Sequence, residues 1–180
     1  EIPLFLLLVN SLVLFYERLE STSKRLEKTY IISELLKKTS KSDLDKVIYL
    51  LQGKVFPSWD ERKIGFSVRL AIKAVSQATG ISPDKVEKDF AKKGDLGLVA
   101  EDLIKEKKQT TLTSKNIEIS NVFDNIRKLA SLEGQGTVNR KLRLITELLT
   151  SAKPNEAKFI VRTIIEQLRI GISEGILRDS

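Results

Sequence analysis

Residues 133–143 read EGQGTVNRKLR, placing Gly134 and Gly136 ahead of Thr137 and the cations Arg140, Lys141 and Arg143. Glycines before a basic helix start are one way a protein holds phosphate, because bare backbone N–H groups and the positive helix end face the anion together. Such a stretch could serve as a nucleotide pocket, as a grip on a nucleic-acid backbone, or as a plain turn. A Walker loop requires a strand and then Gly-x-x-x-x-Gly-Lys-Ser/Thr; a dinucleotide fingerprint requires Gly-x-Gly-x-x-Gly after a strand. Here the glycines follow a helical segment and complete neither spacing, which removes bound ATP. In the phosphate reading, Thr137 caps the next helix and Arg140 and Lys141 stand beside its outward-facing end. A turn with solvated cations fits this stretch, taken alone, equally well.

Helix 154–169 weighs on that choice. At about 100° per residue, Lys158, Arg162 and Arg169 fall within about 40° of one another, while Ala157, Ile160, Ile164 and Leu168 gather roughly 130° away as a core face. No carboxylate of the helix stands where it could pair all three cations, so a charged groove is expected rather than a sign-mixed solvated face. A third stretch, 53–66, reads GKVFPSWDERKIGF and sets Phe56, Pro57 and the only tryptophan, Trp59, among Lys54, Arg62 and Lys63. Aromatics among cations can stack on bases. Buried aromatics anchoring a long loop are the commoner use, and they are the expectation here.

Catalysis has little to draw on. The chain has no His and no Cys, which removes the commonest general base near neutral pH, thiolate metal sites and disulfides. The acid pairs Asp43/Asp45 and Asp60/Glu61 read as exposed helix starts, and no Ser, Lys or Asp has a partner arrangement that would activate it. Taken alone, these 180 residues are expected to be non-catalytic and to hold neither metal nor cofactor.

The elements that must position these residues are helical almost throughout. Leu26, Tyr30, Ile31 and Leu35, like Leu44, Val47, Ile48 and Leu51, recur at three- and four-residue steps. Ser42 with Asp45 resembles a capping box; Ser82-Pro83-Asp84 sets a cap, a first-turn proline and an acid in order; Pro154 and Glu156 repeat the signal. The pattern predicts an all-α fold, a single compact domain of about ten helices near 11–20, 22–39, 42–52, 67–79, 83–91, 95–106, 120–132, 138–150, 154–169 and 172–178. Residues 116–120 are the one strand-like stretch and are read as loop. KDFAKKGDLGLVAEDL (88–103) and EQLRIGISEGILRDS (166–180) echo each other as helix–Gly–helix joints, consistent with an approximate internal two-fold arrangement.

Charge and hydropathy set further bounds. The formal charge of +7, from 31 Lys+Arg against 24 Asp+Glu, suits a polyanionic partner without requiring one. The opening run EIPLFLLLVNSLVLFY is shorter than the about twenty residues of a membrane span and is broken by Pro3, Asn10 and Ser11, so residues 1–11 read as an apolar lead-in to a core helix. No Met occurs, even at position 1, and an excerpt of a longer chain is expected.

Together, YERLESTSKRLEKTYIISELLK (16–37), LLQGKVFPSWDERKIGFSVRLAIKAV (50–75), KKGDLGLVAEDL (92–103) and EAKFIVRTIIEQLRIGISEGILRD (156–179) resemble the N-terminal DNA-binding domain of ATP-dependent DNA ligases of archaeal type, in order and from about residue 12 to 180. The resemblance implies an all-helical domain that precedes nucleotidyltransferase and OB-fold domains. It implies that the domain lies across the minor groove of nicked double-stranded DNA and grips phosphates through helix ends and glycine turns. It places backbone contacts at Gly94 and Gly97, from Gly134 to Lys141, and from Arg169 to Gly171. ATP and Mg²⁺ are implied for the parent enzyme, which would act in replication, repair and recombination in the cytoplasm. The partner groups would be the catalytic domain of the same chain and the DNA, with the domain itself a monomer. The family's Lys-x-Asp-Gly motif is absent from this sequence.

Two expectations complete the reading. Archaeal ligases often carry a sliding-clamp-binding segment near 107–119, and Gln109 and Leu112 keep its Gln-x-x-Leu part without the aromatic pair. Set against DNA binding is a helical protein-interaction scaffold whose cations serve solubility; a sequence-specific helix-turn-helix regulator is a third reading.

Overall fold

Several helices start where a side chain completes orphan backbone groups, and several stop at a residue that leaves the helical conformation. In a computed structural model, residues 9–108 and 116–180 are described, and they form ten α-helices with no strand among them. These are α1 (Val9–Glu20), α2 (Arg25–Lys38), α3 (Leu44–Leu51), α4 (Val68–Thr79), α5 (Pro83–Lys93), α6 (Leu96–Lys108), α7 (Ile119–Ser131), α8 (Thr137–Ser151), α9 (Pro154–Ile164) and α10 (Glu174–Arg178). Ser67 and Ser82 cap α4 and α5 by accepting the N–H of Leu70 and Lys85. Left-handed Gly80 and Gly94 close the same two helices, a conformation glycine adopts without a steric penalty. At α9, Pro154 occupies the first turn and the Glu156 carboxylate accepts the Lys153 N–H at 2.7 Å.

Two predicted ends differ. Ser42 does not box α3; Asp43 stands at the cap position, is buried, and accepts from Ser40 Oγ at 2.9 Å and from Ser120 Oγ at 3.0 Å, tying α3 to the start of α7. Asp43 is therefore a structural acid and not an exposed helix start. The second difference is larger. α9 ends at Ile164, five residues short of the predicted end, because Glu166 turns left-handed at φ 59° and the Gln167 N–H reaches back to the Arg162 carbonyl at 2.8 Å. Leu168 still reaches the core, where it lies against Gly53, so the apolar repeat continues although the helix does not.

The apolar core runs from Val9 to Ile176 and draws on every helix. At its centre is α9, in which every residue from Glu156 to Ile164 is buried. α6 crosses it at Gly97, where an added Cβ would lie 2.7 Å from the Lys158 carbonyl oxygen and 2.7 Å from Arg162 Cγ. α1 covers another side, with Tyr16 tilted against Phe159 at 5.0 Å between ring centres. The Gly97 crossing leaves no room for a methyl group against backbone. Gly97→Ala is expected to lower stability by about 1–3 kcal/mol, read as a lower urea midpoint at unchanged slope.

Candidate nucleic-acid interface

The opening stretch forms the start of α8. Gly134 and Gly136 are both left-handed, at φ 85° and 76°, and nothing lies within 4 Å of where their side chains would be. Gly136 holds the cap position and offers no side chain; Thr137 is not the cap but the first helical residue, and its hydroxyl donates back to the Gly134 carbonyl. Among the described residues nothing accepts the N–H groups of Val138 and Asn139, so the positive end of a 15-residue helix opens outward. Val138, 60% exposed, marks how open that end is. The Arg140 guanidinium bonds the Glu133 carbonyl at 2.5 Å, and Lys141 Nζ reaches the Gly65 carbonyl at 3.4 Å.

That last contact brings a second helix start to the same place. Gly65 lies just ahead of α4, and farther along, Thr146 of α8 donates to Gln77 of α4 at 3.1 Å. The two helices thus run side by side in the same direction, with both N-terminal ends at one end of the pair. Along the row that leads to Gln77, α4 carries Arg69 and Lys73, both exposed and neither within an ion pair among the described residues; Lys63 precedes them in the same state. Lys63 stood out in the sequence only as a cation of the 53–66 loop, and Arg69 and Lys73 were missed. The signal was legible: α4 holds two cations four residues apart and no acid.

The cationic line expected on α9 is not a groove. Arg162 is 2% exposed and Lys158 is also buried, because α9 is the central helix and has no solvent side. Their partners come from other elements, which is why the carboxylates within α9 were the wrong place to look. Arg162 donates to Asp95 through Nε at 3.1 Å and Nη2 at 2.6 Å and to Glu20 of α1 at 2.9 Å; Lys158 donates to Glu20 at 2.8 Å. Arg169 is separated from them by the end of α9. Its side chain stays exposed, with Nη1 3.6 Å from Asp95. The predicted trio therefore resolves into two internal cations and one surface cation.

The same network corrects the reading of GDLG. Gly97 is buried by α9 and serves helix packing, so it is closed to an outside backbone contact; Gly94 is exposed, left-handed at φ 67°, with open space around it. Asp95 between them caps α6, accepting the N–H groups of Gly97 at 2.9 Å and Leu98 at 3.2 Å. It is also the carboxylate on which Arg162 and Arg169 converge. On the other side of that junction, Arg169 and Gly171 are left-handed at φ 59° and 65°, and buried Lys28 of α2 holds the turn by donating to the carbonyls of Ile170 at 2.7 Å and Gly171 at 3.0 Å. Lys28 was not foreseen, since nothing local to residue 28 points to a partner more than 140 residues away.

Burial alone would raise the Asp95 pKa, but the Arg162 hydrogen bonds and charge override it and hold the carboxyl below its usual value; Lys158 and Arg162 do the same for Glu20. A carboxylate whose folded pKa lies below its unfolded one stabilises the fold above the unfolded value and ceases to do so as the pH falls through the folded value. The urea midpoint is accordingly expected to be flat from neutral pH down to about 5 and to fall progressively below about 4. Asp95→Asn should flatten part of that acid slope.

Loop 53–66 lies between these two regions. Gly53 packs on Leu168, Glu166 lines the same 250 Å³ cleft as Lys54, Phe56 and Arg62, and Gly65 meets Lys141. A connected series of turns thus joins the start of α8 to the Gly94 and Gly171 turns. Uncapped helix N–H groups, open left-handed glycines and unpaired cations can hold anions spaced along a chain. Among the described residues no group of three carboxylates could hold a metal ion, and no helix is long and apolar enough to cross a membrane. Gln109 and Leu112, expected to engage a clamp, lie outside the described residues.

Comparison with known proteins identifies the family. Residues 9–180 match the family described as DNA ligase N terminus. The DNA ligase of Methanothermobacter thermautotrophicus is 42% identical over 174 residues, which is 97% of this chain and 31% of that protein. The DNA ligase of Methanobrevibacter smithii is 44% identical over 171 residues, 95% of this chain and 31% of its own length. That of Thermococcus onnurineus is 41% identical over 165 residues, 92% of this chain and 29% of its own. This chain thus spans under a third of the length of these relatives, and it belongs to the family of DNA ligase N-terminal domains.

Proposed function

We propose that this chain grips nicked double-stranded DNA, without sequence preference, as the N-terminal domain of an ATP-dependent DNA ligase. The observation that carries the proposal is the paired start of α4 and α8: open backbone N–H groups and left-handed glycines beside Lys63, Arg69, Lys73, Arg140 and Lys141. A duplex presents phosphates at regular spacing and asks no more than this of a sequence-independent binder. Gly94, Arg169 and Gly171 form a second grip at the far end of the connected turns, and contact there would run through the minor groove. The binding domain is a monomer and docks on the catalytic domain of the same chain. ATP, Mg²⁺ and the sealing of a 5′-phosphate to a 3′-hydroxyl belong to that catalytic domain, because the Lys-x-Asp-Gly motif is missing here. Work in replication, repair and recombination in the cytoplasm follows from the same reading.

Titration against nicked, intact and single-stranded DNA of scrambled sequence at several salt concentrations tests it. Expected is binding to nicked duplex whose logarithm falls linearly with the logarithm of salt. No binding at low salt would favour a protein-interaction scaffold, and strong sequence preference a regulator. The clamp segment is tested separately: Gln109→Ala with Leu112→Ala should weaken binding to the sliding clamp, and equal binding ends that part of the proposal.

A further inference from the structure

Trp59 stands out from its loop. The expectation that the aromatics of 53–66 anchor the loop holds for Phe56, which is buried, and fails for Trp59, which is 83% exposed. The indole is not on a loose segment. Pro57 to Asp60 form a turn closed by the Asp60 N–H on the Pro57 carbonyl at 3.0 Å, with Trp59 at its tip. Asp60 accepts from the Arg62 backbone at 3.0 Å and from its guanidinium at 2.6 Å, and Lys54 Nζ bonds Ser58 Oγ at 3.3 Å. In the same loop, two guanidinium groups stand over the Phe56 ring, Arg62 at 4.5 Å and Arg127 at 5.3 Å from its centre. A large apolar ring carried out into water on a braced turn is a standing cost that a ligand surface explains better than a core does.

The charge around the indole says what kind of ligand. Lys54, Lys63 and Arg127 have no carboxylate within ion-pairing distance among the described residues, and Asp60, next to Trp59 in the chain, is spent on Arg62; Glu61 follows it and Glu166 lines the cleft beside Lys54 and Phe56. The loop also continues into Gly65 and so into the contact with Lys141. A flat π-face among unpaired cations, next to a phosphate-holding region, matches a base with its phosphodiester on either side. In an intact duplex the bases are stacked and hidden, so a base that reaches Trp59 must be unpaired.

We propose that Trp59 stacks on an unpaired nucleobase, so that the domain prefers duplex bearing a short single-stranded segment, such as a displaced flap or a gap, over intact duplex. This rests on the DNA-binding function proposed above. Because Trp59 is the only tryptophan of the chain, its fluorescence reports the contact directly. Titrating the 180-residue domain with a nicked duplex carrying a five-nucleotide flap should quench the indole, while intact duplex should bind and leave it unchanged. Trp59→Ala should weaken flap binding by about tenfold, the size of one base–aromatic stack, and leave intact-duplex affinity and the salt slope as they were. Trp59→Phe should restore most of the loss. If intact duplex binds with its salt dependence but flap DNA neither quenches Trp59 nor distinguishes Trp59→Ala, this inference is overturned, the DNA-binding reading stands, and the indole belongs to a protein partner. If no DNA binds at all, both fall.

Discussion

Arg162→Ala is expected to destabilise the domain by about 3–5 kcal/mol, the cost of leaving buried charge without its partner. Among the described residues, Arg162 alone bonds both Asp95 and Glu20, which lie on α6's cap and on α1. Without it, Lys158 still reaches Glu20, but Asp95 keeps only the α6 N–H groups and the distant Arg169. The loss therefore falls on the junction of α6 with α9. Two further variants distinguish this explanation from a simple cavity. Arg162→Met keeps most of the packing volume and should lose nearly as much stability as Ala. Arg162→Met combined with Asp95→Asn should recover part of it, because the orphaned charge is gone while the amide oxygen can still cap α6. Urea midpoints of the four proteins decide the matter; an Arg162→Met variant as stable as the parent would show that the network carries no net stability.

Arg140→Gln with Lys141→Gln is expected to weaken binding to nicked duplex by on the order of tenfold at 0.1 M salt and to make the salt slope shallower by about two, one for each phosphate that the variant no longer neutralises. Both side chains stand at the open end of α8, and neither joins an ion pair among the described residues, so the thermal midpoint should hardly move. Arg169→Gln, exposed beside the Gly171 turn, should remove about one unit of slope if that turn also meets phosphate. Arg162 is the informative contrast. Its removal lowers the amount of folded protein, but the folded fraction should keep the parent slope, since a side chain 2% exposed releases no counterion from DNA. An unchanged slope for Arg140→Gln/Lys141→Gln would make the start of α8 a plain turn after all.

Much of the fold was legible in the chain because helix starts and stops are written in neighbouring residues. Ser82-Pro83, Pro154 with Glu156, and the glycine closing α5 each act within four positions, and each is found where local chemistry puts it. The end of α9 was not legible. Leu168 satisfies the helical repeat as well as it satisfies the core after a left-handed break, so periodicity cannot tell the two routes apart. The candidate site divides the same way. Gly134, Gly136, Arg140 and Lys141 could be singled out from spacing, and Arg69 and Lys73 could have been, from an acid-free amphipathic helix.

What stayed hidden was every role set by partners far along the chain. Whether a cation faces water or a carboxylate depends on which helix lies over it, and α9 is covered by α6 and α1, whose acids lie 67 and 142 residues from Arg162. Lys28 on the Gly171 turn and Gly97 against the α9 backbone belong with it, as does the exposure of Trp59. The amino-acid sequence by itself determined the helical class, most helix boundaries, the glycine-and-cation start of α8 and the likeness to ligase domains, since these are short-range or pattern properties. Only the tertiary structure decided that Lys158 and Arg162 are internal, that α4 and α8 present their positive ends together, and that Phe56 anchors while Trp59 stands free. Burial and charge pairing are properties of the packed whole, and no window of neighbouring residues contains them.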